Sequence, residues 1–293
     1  LRKNKQPVFE NDSAALHDMG DGVALFEFKT KNATLGFELV QSLEHSLDVV
    51  KQNFKALVLS HDGDNFAYGA NLMEAMQANA SGEWDKVVEA VTNFQRTAVA
   101  HHELYMGLVE VGVGLIPAGG GTTELLKRAM AKIEGDADAL PFIREAFKTM
   151  GMAKVSESAH MAKELNFLRP SDVIVMNRDL QLSIAKQEAL NMVKVGYHAP
   201  ARTPIKVLGQ TALSAMKLML YVMHESNFIT DYDKVVVERL AFVLSGGDLS
   251  EPQEVPEEYL LKLEREAILE CLKDDRTIAR MEHMLKTGKP LRN

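Results

Sequence analysis

The sequence is poor in cysteine, in basic residues and in long apolar runs, and each shortage argues against a class of protein. A single cysteine, Cys271, leaves no partner for an internal disulfide, as is usual in a reducing compartment. The 33 Lys and Arg residues against 41 Asp and Glu residues give a net charge of −8, which disfavours a nucleic-acid partner. Because no run of about 18 apolar residues is present, neither a membrane span nor a signal peptide is predicted, and cytoplasm is the expected location.

What the sequence does contain is enough apolar residues, 46% of 293, to build a substantial core. Residues 22–30 (GVALFEFKT) combine β-branched and aromatic residues and predict a strand, and the segment KALVLS ending at Ser60 is predicted to be a second strand. Five apolar residues between them recur at spacings of four and three, which indicates one buried helix face: Leu35, Leu39, Leu43, Leu47 and Val50. This order predicts a right-handed β-α-β unit with parallel strands, and ligands usually bind at the loops that follow such strands.

The next loop, residues 61–72, contains a glycine directly before a helical segment. Gly69 allows a sharp backbone turn, and the amide N–H groups at the following helix start have no intrahelical partners. Amides aimed at a carbonyl oxygen can form an oxyanion hole, since they stabilise negative charge without titrating. An ordinary strand-to-helix turn has the same local sequence, so the residues alone leave both interpretations open.

A second glycine-rich segment, residues 105–123 (YMGLVEVGVGLIPAGGGTT), contains one acid, Glu110, among apolar residues. A carboxylate is costly to bury without a partner or a purpose. An apolar pocket raises the pKa of such an acid toward neutrality, which suits proton transfer. A structural salt-bridge acid is an equally good interpretation of Glu110 at this point. The following residues 117–124 predict a loop that caps a new helix.

The order of these segments resembles the crotonase (enoyl-CoA hydratase/isomerase) superfamily. The motifs that carry the resemblance are FAYGANLMEAM after the second strand and LVEVGVGLIPAGGGT further on. The tail HMLKTGKPLRN and the phrase GANL further resemble the C-terminal part of fused bacterial 3-hydroxyacyl-CoA dehydrogenases, in which a Rossmann dehydrogenase half precedes a crotonase-like half. The resemblance implies an α/β fold, with a crotonase-like spiral of β-β-α units over residues 1–141 and a mostly helical region over residues 142–293.

The resemblance also implies a site. The Ala70 amide would be one oxyanion donor, and Glu110 one of two carboxylates that handle the water added across the double bond of a trans-2-enoyl-CoA. Tyr68, Gly69 and Gly107 would contact the substrate. The implied partner is an acyl-CoA thioester, so coenzyme A arrives as part of the substrate. No metal or cofactor is expected within this chain, NAD is expected only in a fused dehydrogenase half, and that half or a homo-oligomer is the expected protein partner.

Two departures from the family pattern qualify this expectation. Tyr68 and Asn71 stand where many hydratases have a small residue and an aspartate. Between Ala98 and His101 the family would have a strand, a Gly-Gly-Gly turn and a helix with the second oxyanion amide and the second glutamate, a unit of about 30 residues. We expect that this sequence omits a segment of the natural chain, and a true deletion is the alternative. A true deletion would leave a noncatalytic CoA-thioester-binding or docking module, or a structural domain.

The second half of the sequence predicts mostly helices: one over residues 177–195, two within residues 207–245 and one over residues 257–271. The charged residues of the last helix are predicted to form a solvated face: Glu258, Lys262, Glu264, Arg265 and Glu266. The apolar stripes of these helices are predicted to pack on the core, on a second subunit or on a dehydrogenase half, and the sequence does not choose among the three.

Overall fold

The computed structural model describes residues 6–63, 66–74, 98–198 and 201–293. It contains two compact units. The first comprises Leu1–His101 and Val173–Pro200, and the second comprises His102–Asp172 and Ala201–Asn293. Both units are therefore assembled from two separate stretches of chain. The division at residue 141, which was based on family resemblance and follows sequence order, stays a prediction.

The first unit contains the predicted β-α-β arrangement. Its main sheet has the strand order β1-β2-β3-β4, with β1 (Phe9–Glu10), β2 (Ala14–Asp18), β3 (Val23–Phe28) and β4 (Ala56–His61). Helix α1 (Phe37–Asn53) connects β3 to β4, and these two strands are parallel, with Val23 opposite Ala56. The predicted strands and crossover helix are confirmed, whereas β1 and β2, which pair in antiparallel fashion, were not predicted.

Strand β3 is buried on both faces, which explains why five of its six residues are apolar, Glu27 being the exception. One face of the sheet, with Phe26 and Phe28, packs against α1. The other face, with Leu25 and Val58, packs against helix α5 (Gln181–Lys194). Helix α5 also lies against a separate parallel pair of strands in the same unit, β5 (Val99–His101) and β6 (Val173–Val175).

The second unit is mainly helical. Its first helices are α2 (Gly121–Met130), α3 (Leu140–Gly151) and α4 (Ala159–Glu164), and its later helices are α6 (Gln210–Glu225), α7 (Asp231–Ser245), α8 (Glu257–Leu272) and α9 (Asp275–Thr287). A short antiparallel pair, β7 (Ile205–Val207) and β8 (Gln253–Val255), completes the unit. The predicted helices within 177–195, 207–245 and 257–271 are confirmed, and α9 was not predicted. Among the described residues, no helix has the length and apolar character needed to cross a membrane.

A buried ion pair joins α9 to α7 in this unit. Arg280 is only 1% exposed, and its Nη1 lies 2.7 Å from Oδ1 of Asp233. Its Nε donates to Oδ1 of Asn293 over 2.7 Å. Asp233 also closes the capping box of α7 with Thr230. Because the cation has a carboxylate partner and further acceptors, its burial is compensated.

Candidate active site

The loop of residues 66–74, which we call the amide loop, crosses the start of α1 in the first unit. Leu35 donates its N–H to the carbonyl oxygen of Gly69 over 2.8 Å, and Asn71 donates its N–H to the carbonyl oxygen of Leu35 over 3.0 Å. In such a parallel bridge the residue between the two bonded positions, here Ala70, turns its own N–H away from the partner strand. The Ala70 N–H makes no hydrogen bond within the described part of the chain, so it is available to an external acceptor.

Side chains fix the helix start that follows Ala70. Oδ1 of Asn71 accepts from the N–H of Met73 over 3.1 Å, and its Nδ2 donates to Oε1 of Glu74 over 2.9 Å. Oε2 of Glu74 in turn accepts from the N–H of Phe37, at the first turn of α1, over 2.6 Å. A Cβ on Gly36 would lie 2.5 Å from Oε1 of Glu74, so this contact requires glycine there. Asn71, the departure from the family's aspartate, therefore acts as a helix cap.

Gly69 has a φ of +86°, a conformation that side chains disfavour, and no atom of the described residues lies within 4 Å of the position of a Cβ. The glycine is required here by its backbone conformation and not by a close neighbour. Tyr68 precedes it with a side chain that is 64% exposed. Their predicted contacts with substrate stay predictions. Of the predicted helical segment MEAM, only Met73 and Glu74 lie within the described residues.

The segment of residues 107–123, which we call the acid turn, lies in the second unit. Gly107 forms an antiparallel bridge with Val155, and a Cβ on Gly107 would lie 2.7 Å from the carbonyl oxygen of Lys154. This close approach explains the glycine in structural terms, and its predicted substrate contact stays a prediction. Three residues later Glu110 begins a 3₁₀ turn, Glu110–Val113, that ends at Gly114 with a φ of +81°.

Glu110 is partly exposed as a residue, but one oxygen of its carboxyl group is buried. Oε2 of Glu110 is inaccessible to solvent, and no residue in the described part of the chain forms a hydrogen bond with it. Burial raises the pKa of Glu110 to about 6, and a hydrogen bond from its own backbone N–H acts in the opposite direction. A Cβ on Gly112, two residues on, would meet no atom within 4 Å. A carboxyl group with this proton affinity and an unused oxygen is suited to exchange a proton near neutral pH.

Helices from the C-terminal part hold the far end of the 3₁₀ turn. Thr277 of α9 donates its hydroxyl to the carbonyl oxygen of Gly114 over 2.8 Å, and the Tyr232 hydroxyl lies 2.5 Å from the same Oγ1. A Cβ on Gly114 would lie 2.8 Å from that hydroxyl, so glycine allows the contact as well as the positive φ. The position of Glu110 therefore depends on residues more than 100 positions later in the chain.

Glu264 is a residue that the sequence interpretation assigned wrongly. It was predicted to lie on a solvated face of α8, but it is fully buried. Oε2 accepts from the N–H of Gly120 over 2.8 Å, and Oε1 accepts from the N–H and the hydroxyl of Thr123 over 2.5 and 2.6 Å. Burial raises the pKa of Glu264 to about 7, the three donors oppose that shift, and the charge of Glu110 adds to it.

The sequence does contain a signal that points to the burial of Glu264. Leu260, Glu264, Ala267 and Cys271 recur at spacings of four, three and four, and all four are buried. Glu264 therefore occupies a position on the apolar stripe of α8, where a carboxylate needs partners. The adjacent charges Lys262 and Glu266, which were also predicted to be solvated, are largely exposed.

Within the first unit, no segment of the described residues takes the place of the expected second acid segment. The chain passes directly from Ala98 into β5, and the N–H of Val173 donates to the carbonyl oxygen of Ala98 over 2.9 Å. Among the described residues, no three His, Cys, Asp or Glu side chains are placed to hold a metal ion.

Comparison with solved structures identifies the fold. The crystal structure of enoyl-CoA hydratase/isomerase from Pseudoalteromonas atlantica T6c matches 96% of this chain and all of its own, with a TM-score of 0.57 and 13% identity. The chain has the crotonase fold. The predicted α/β crotonase-like class is thereby confirmed, together with the helical C-terminal region. No protein-family model matches the chain.

Two curated sequences resemble the crotonase-fold chain along nearly its whole length. One is "Probable 3-hydroxyacyl-CoA dehydrogenase" from Bacillus subtilis (strain 168), 35% identical over 325 residues, with 100% of this chain matched. The other is "Putative fatty acid oxidation complex trifunctional enzyme" from Rickettsia felis, 24% identical, with 98% of this chain matched. The chain spans 41% of the length of each. The Bacillus match extends over more residues than the 293 of this chain, so that relative has residues without a counterpart here.

Proposed function

We propose that this crotonase-fold chain acts on acyl-CoA thioesters and hydrates trans-2-enoyl-CoA to 3-hydroxyacyl-CoA. The observation that carries the proposal is the buried Oε2 of Glu110, which has no hydrogen-bond partner among the described residues and belongs to an acid whose pKa is raised to about 6. A structural salt-bridge acid would have a cation beside it, and no cation among the residues that the structure describes is paired with this carboxyl group. The names of the two curated relatives, which refer to 3-hydroxyacyl-CoA dehydrogenation and fatty acid oxidation, fit this substrate class.

In this proposal the ionised carboxylate of Glu110 accepts a proton from the water whose oxygen bonds to C3, and a proton is returned to C2, so that water is added across the double bond. The N–H of Ala70 donates to the thioester oxygen as negative charge develops on it. The chain's own groups thus supply one carboxyl group and one amide. Coenzyme A is part of the substrate, and the NAD-dependent step belongs to a fused dehydrogenase half such as the relatives' names suggest.

The test is hydration of crotonyl-CoA, followed by loss of absorbance of the enoyl thioester. Glu110→Gln removes the proton-exchanging group with little change in shape, so turnover is expected to fall by at least about a hundredfold. The affinity for a saturated acyl-CoA, measured by calorimetry, is expected to stay nearly unchanged. Glu134→Gln, at an exposed acid of the same unit, is the matched control and should leave both quantities unaltered. A Glu110→Gln protein with the wild-type rate contradicts the role of Glu110.

One observation favours a second function, a noncatalytic module that binds a CoA thioester for a fused dehydrogenase. The direct passage from Ala98 into β5 leaves no place for a second oxyanion amide or a second acid from that position. Mass spectrometry of tryptic peptides from the natural protein decides whether that passage is real. Detection of the peptide of residues 97–127, with Ala98 joined to Val99, favours the noncatalytic module, and an inserted segment at that point favours hydration.

A further inference from the structure

We propose that Glu74 is a positioning residue for the Ala70 amide, and that it acts by clamping the amide loop to the start of α1. The inference rests on the proposed donation of the Ala70 N–H to a thioester oxygen. Glu74 lies four residues after Ala70, and its carboxyl group accepts from the N–H of Phe37, 37 residues earlier in the sequence. The contact therefore joins the loop to a different element of the first unit.

The direction of the Ala70 N–H is set by the peptide bond that precedes it. In a planar trans peptide the N–H points away from the carbonyl oxygen of the same plane, which here belongs to Gly69. That oxygen accepts from the N–H of Leu35 over 2.8 Å, so a tilt of the loop relative to Leu35 turns the Ala70 N–H with it. Both backbone bonds of the loop are made to Leu35, and bonds to a single residue resist such a tilt poorly.

Glu74 supplies the attachment that prevents the tilt. Its Oε2 accepts from the N–H of Phe37 over 2.6 Å, and its Oε1 accepts from Nδ2 of Asn71 over 2.9 Å. Asn71 also donates its own N–H to the carbonyl oxygen of Leu35, two residues before Phe37, over 3.0 Å, which closes a ring of hydrogen bonds and backbone. The loop cannot rotate about Leu35 without breaking a bond to the Glu74 carboxyl group.

Gly36, the N-cap residue of α1, leaves the space that this carboxyl group occupies. Its φ of −105° is open to any residue, so the backbone conformation does not require glycine. A Cβ on Gly36 would lie 2.5 Å from Oε1 and 2.8 Å from Oε2 of Glu74. Ser or Asp at this position would cap α1 locally, without reaching the amide loop. The cap from Glu74 has a consequence that a local cap lacks, because it attaches the loop to the helix.

The experiment breaks the contact from both sides. Glu74→Ala removes the carboxyl group, whereas Gly36→Ala keeps it in the chain and displaces it. If both act through this one contact, the double variant should lose no more than either single variant. The matched control is Glu38→Gln, which removes an exposed carboxylate in the first turn of the same helix and so reproduces the loss of negative charge at its N-terminus.

Two properties are measured for each protein beside a melting curve. The first is the pair of constants kcat and KM for hydration of crotonyl-CoA. The second is the infrared spectrum of bound butyryl-CoA, labelled with ¹³C at the thioester carbonyl, because a hydrogen bond to that oxygen lowers the C=O stretching frequency. The saturated thioester has no double bond to hydrate, so this signal reports the amide without any need for turnover.

In Glu74→Ala and in Gly36→Ala, kcat is expected to fall by about tenfold to a hundredfold with little change in KM, since a misplaced donor weakens the transition state most. The C=O frequency should move toward that of the free thioester in both, and Glu38→Gln should keep the wild-type values. A lower melting temperature with kcat and the C=O frequency unchanged would show a cap of α1 only, and would overturn the proposal. Additive losses in the double variant would overturn it as well.

If Glu74→Ala does not fold, Gly36→Ala decides, because there only the end of a flexible side chain has to move. A C=O shift that depends on Glu74, found without any hydration, would refute the proposed reaction alone. Hydration with a C=O shift that is independent of Glu74, or with no shift in the wild type, would overturn this inference alone.

Discussion

The amide loop positions a neutral backbone N–H, whereas the acid turn positions a carboxyl group, and the two regions are held in place in different ways. The amide loop offers a backbone N–H, which carries no net charge, and backbone bonds to Leu35 together with the side chains of Asn71 and Glu74 orient it. The acid turn has to keep a carboxyl group partly away from water, and it is held by side chains of α7, α8 and α9. The comparison indicates that an amide donor can be built locally, whereas a raised carboxyl pKa requires distant parts of the chain.

The largest expected effect is the loss of folding stability when the buried ion pair of the second unit, Arg280 with Asp233, is broken. Arg280→Ala leaves the buried Asp233 with only the exposed Arg292, 3.7 Å away, as a cation, which is expected to destabilise the protein by about 3–5 kcal/mol. Hydrogen bonds and Arg280 hold the pKa of Asp233 below its usual range against the effect of burial. The stabilisation from this carboxylate is present above its unfolded pKa and is lost as pH falls through the folded value, so the difference between the two proteins should shrink in acid.

Chemical denaturation at pH 7 and at low pH measures that difference. Arg276→Ala is the matched control, because Arg276 also lies over the Tyr232 ring but pairs with Asp274 near the surface. It is expected to cost less than about 1 kcal/mol. Equal losses in the free energy of unfolding for Arg280→Ala and Arg276→Ala would contradict a larger stabilisation by the buried ion pair.

The next effect tests the amide loop. Ala70→Pro removes the N–H itself, and loss of one oxyanion donor is expected to cost about 3–4 kcal/mol of transition-state stabilisation, measured as kcat/KM for hydration. Ala70→Gly keeps the N–H and serves as the control. Because the proline ring also restricts the backbone, a thermal melt has to show that the variant is folded. A folded Ala70→Pro protein with the wild-type rate would place the thioester oxygen elsewhere.

A smaller effect is the loss of folding stability caused by ionisation of the buried Glu110 carboxyl group. Because its pKa is raised from 4.5 to about 6 on folding, the folded state binds the proton more tightly, and stability falls as pH rises between these values. Glu110→Gln has no such loss, so at pH 8 it is expected to be more stable than the wild type by about 2 kcal/mol. At pH 4 the gain should vanish. Urea denaturation at both pH values measures it, and a gain that is independent of pH would refute the raised pKa.

The sequence alone was sufficient to predict the helix and the strands that surround the amide loop. Apolar spacings of four and three predicted α1, and short apolar segments predicted β3 and β4, because each burial pattern repeats over a full element. The amide loop followed from its position after β4. Helix α9 escaped prediction because its buried residues include Thr277 and Arg280, whose polar side chains find partners on other elements.

The acid turn was predictable only in part. Glu110 stood out as one acid in an apolar segment, but no local pattern indicates whether its carboxyl group has a partner. Glu264 was misassigned because α8 carries several charges, and its amide partners lie more than 140 residues away. Local sequence patterns predict helices and strands, whereas the protonation state of a buried carboxyl group depends on tertiary contacts.

The smallest expected effect is a loss of folding stability when either of two glycines is replaced. It distinguishes a glycine required by its backbone conformation, Gly69, from one required by a close neighbour, Gly107. Gly69 has a φ of +86°, and no described atom lies within 4 Å of the position of a Cβ, so Gly69→Ala is expected to add backbone strain of about 1 kcal/mol in folding stability. At Gly107 the new Cβ would meet the carbonyl oxygen of Lys154 at 2.7 Å, a contact that costs about 1–3 kcal/mol to relieve. Melting curves of both variants measure these losses. The added methyl at residue 69 is also expected to leave acyl-CoA affinity nearly unchanged, whereas a large loss of affinity with little loss of stability would show that the thioester approaches Gly69 closely.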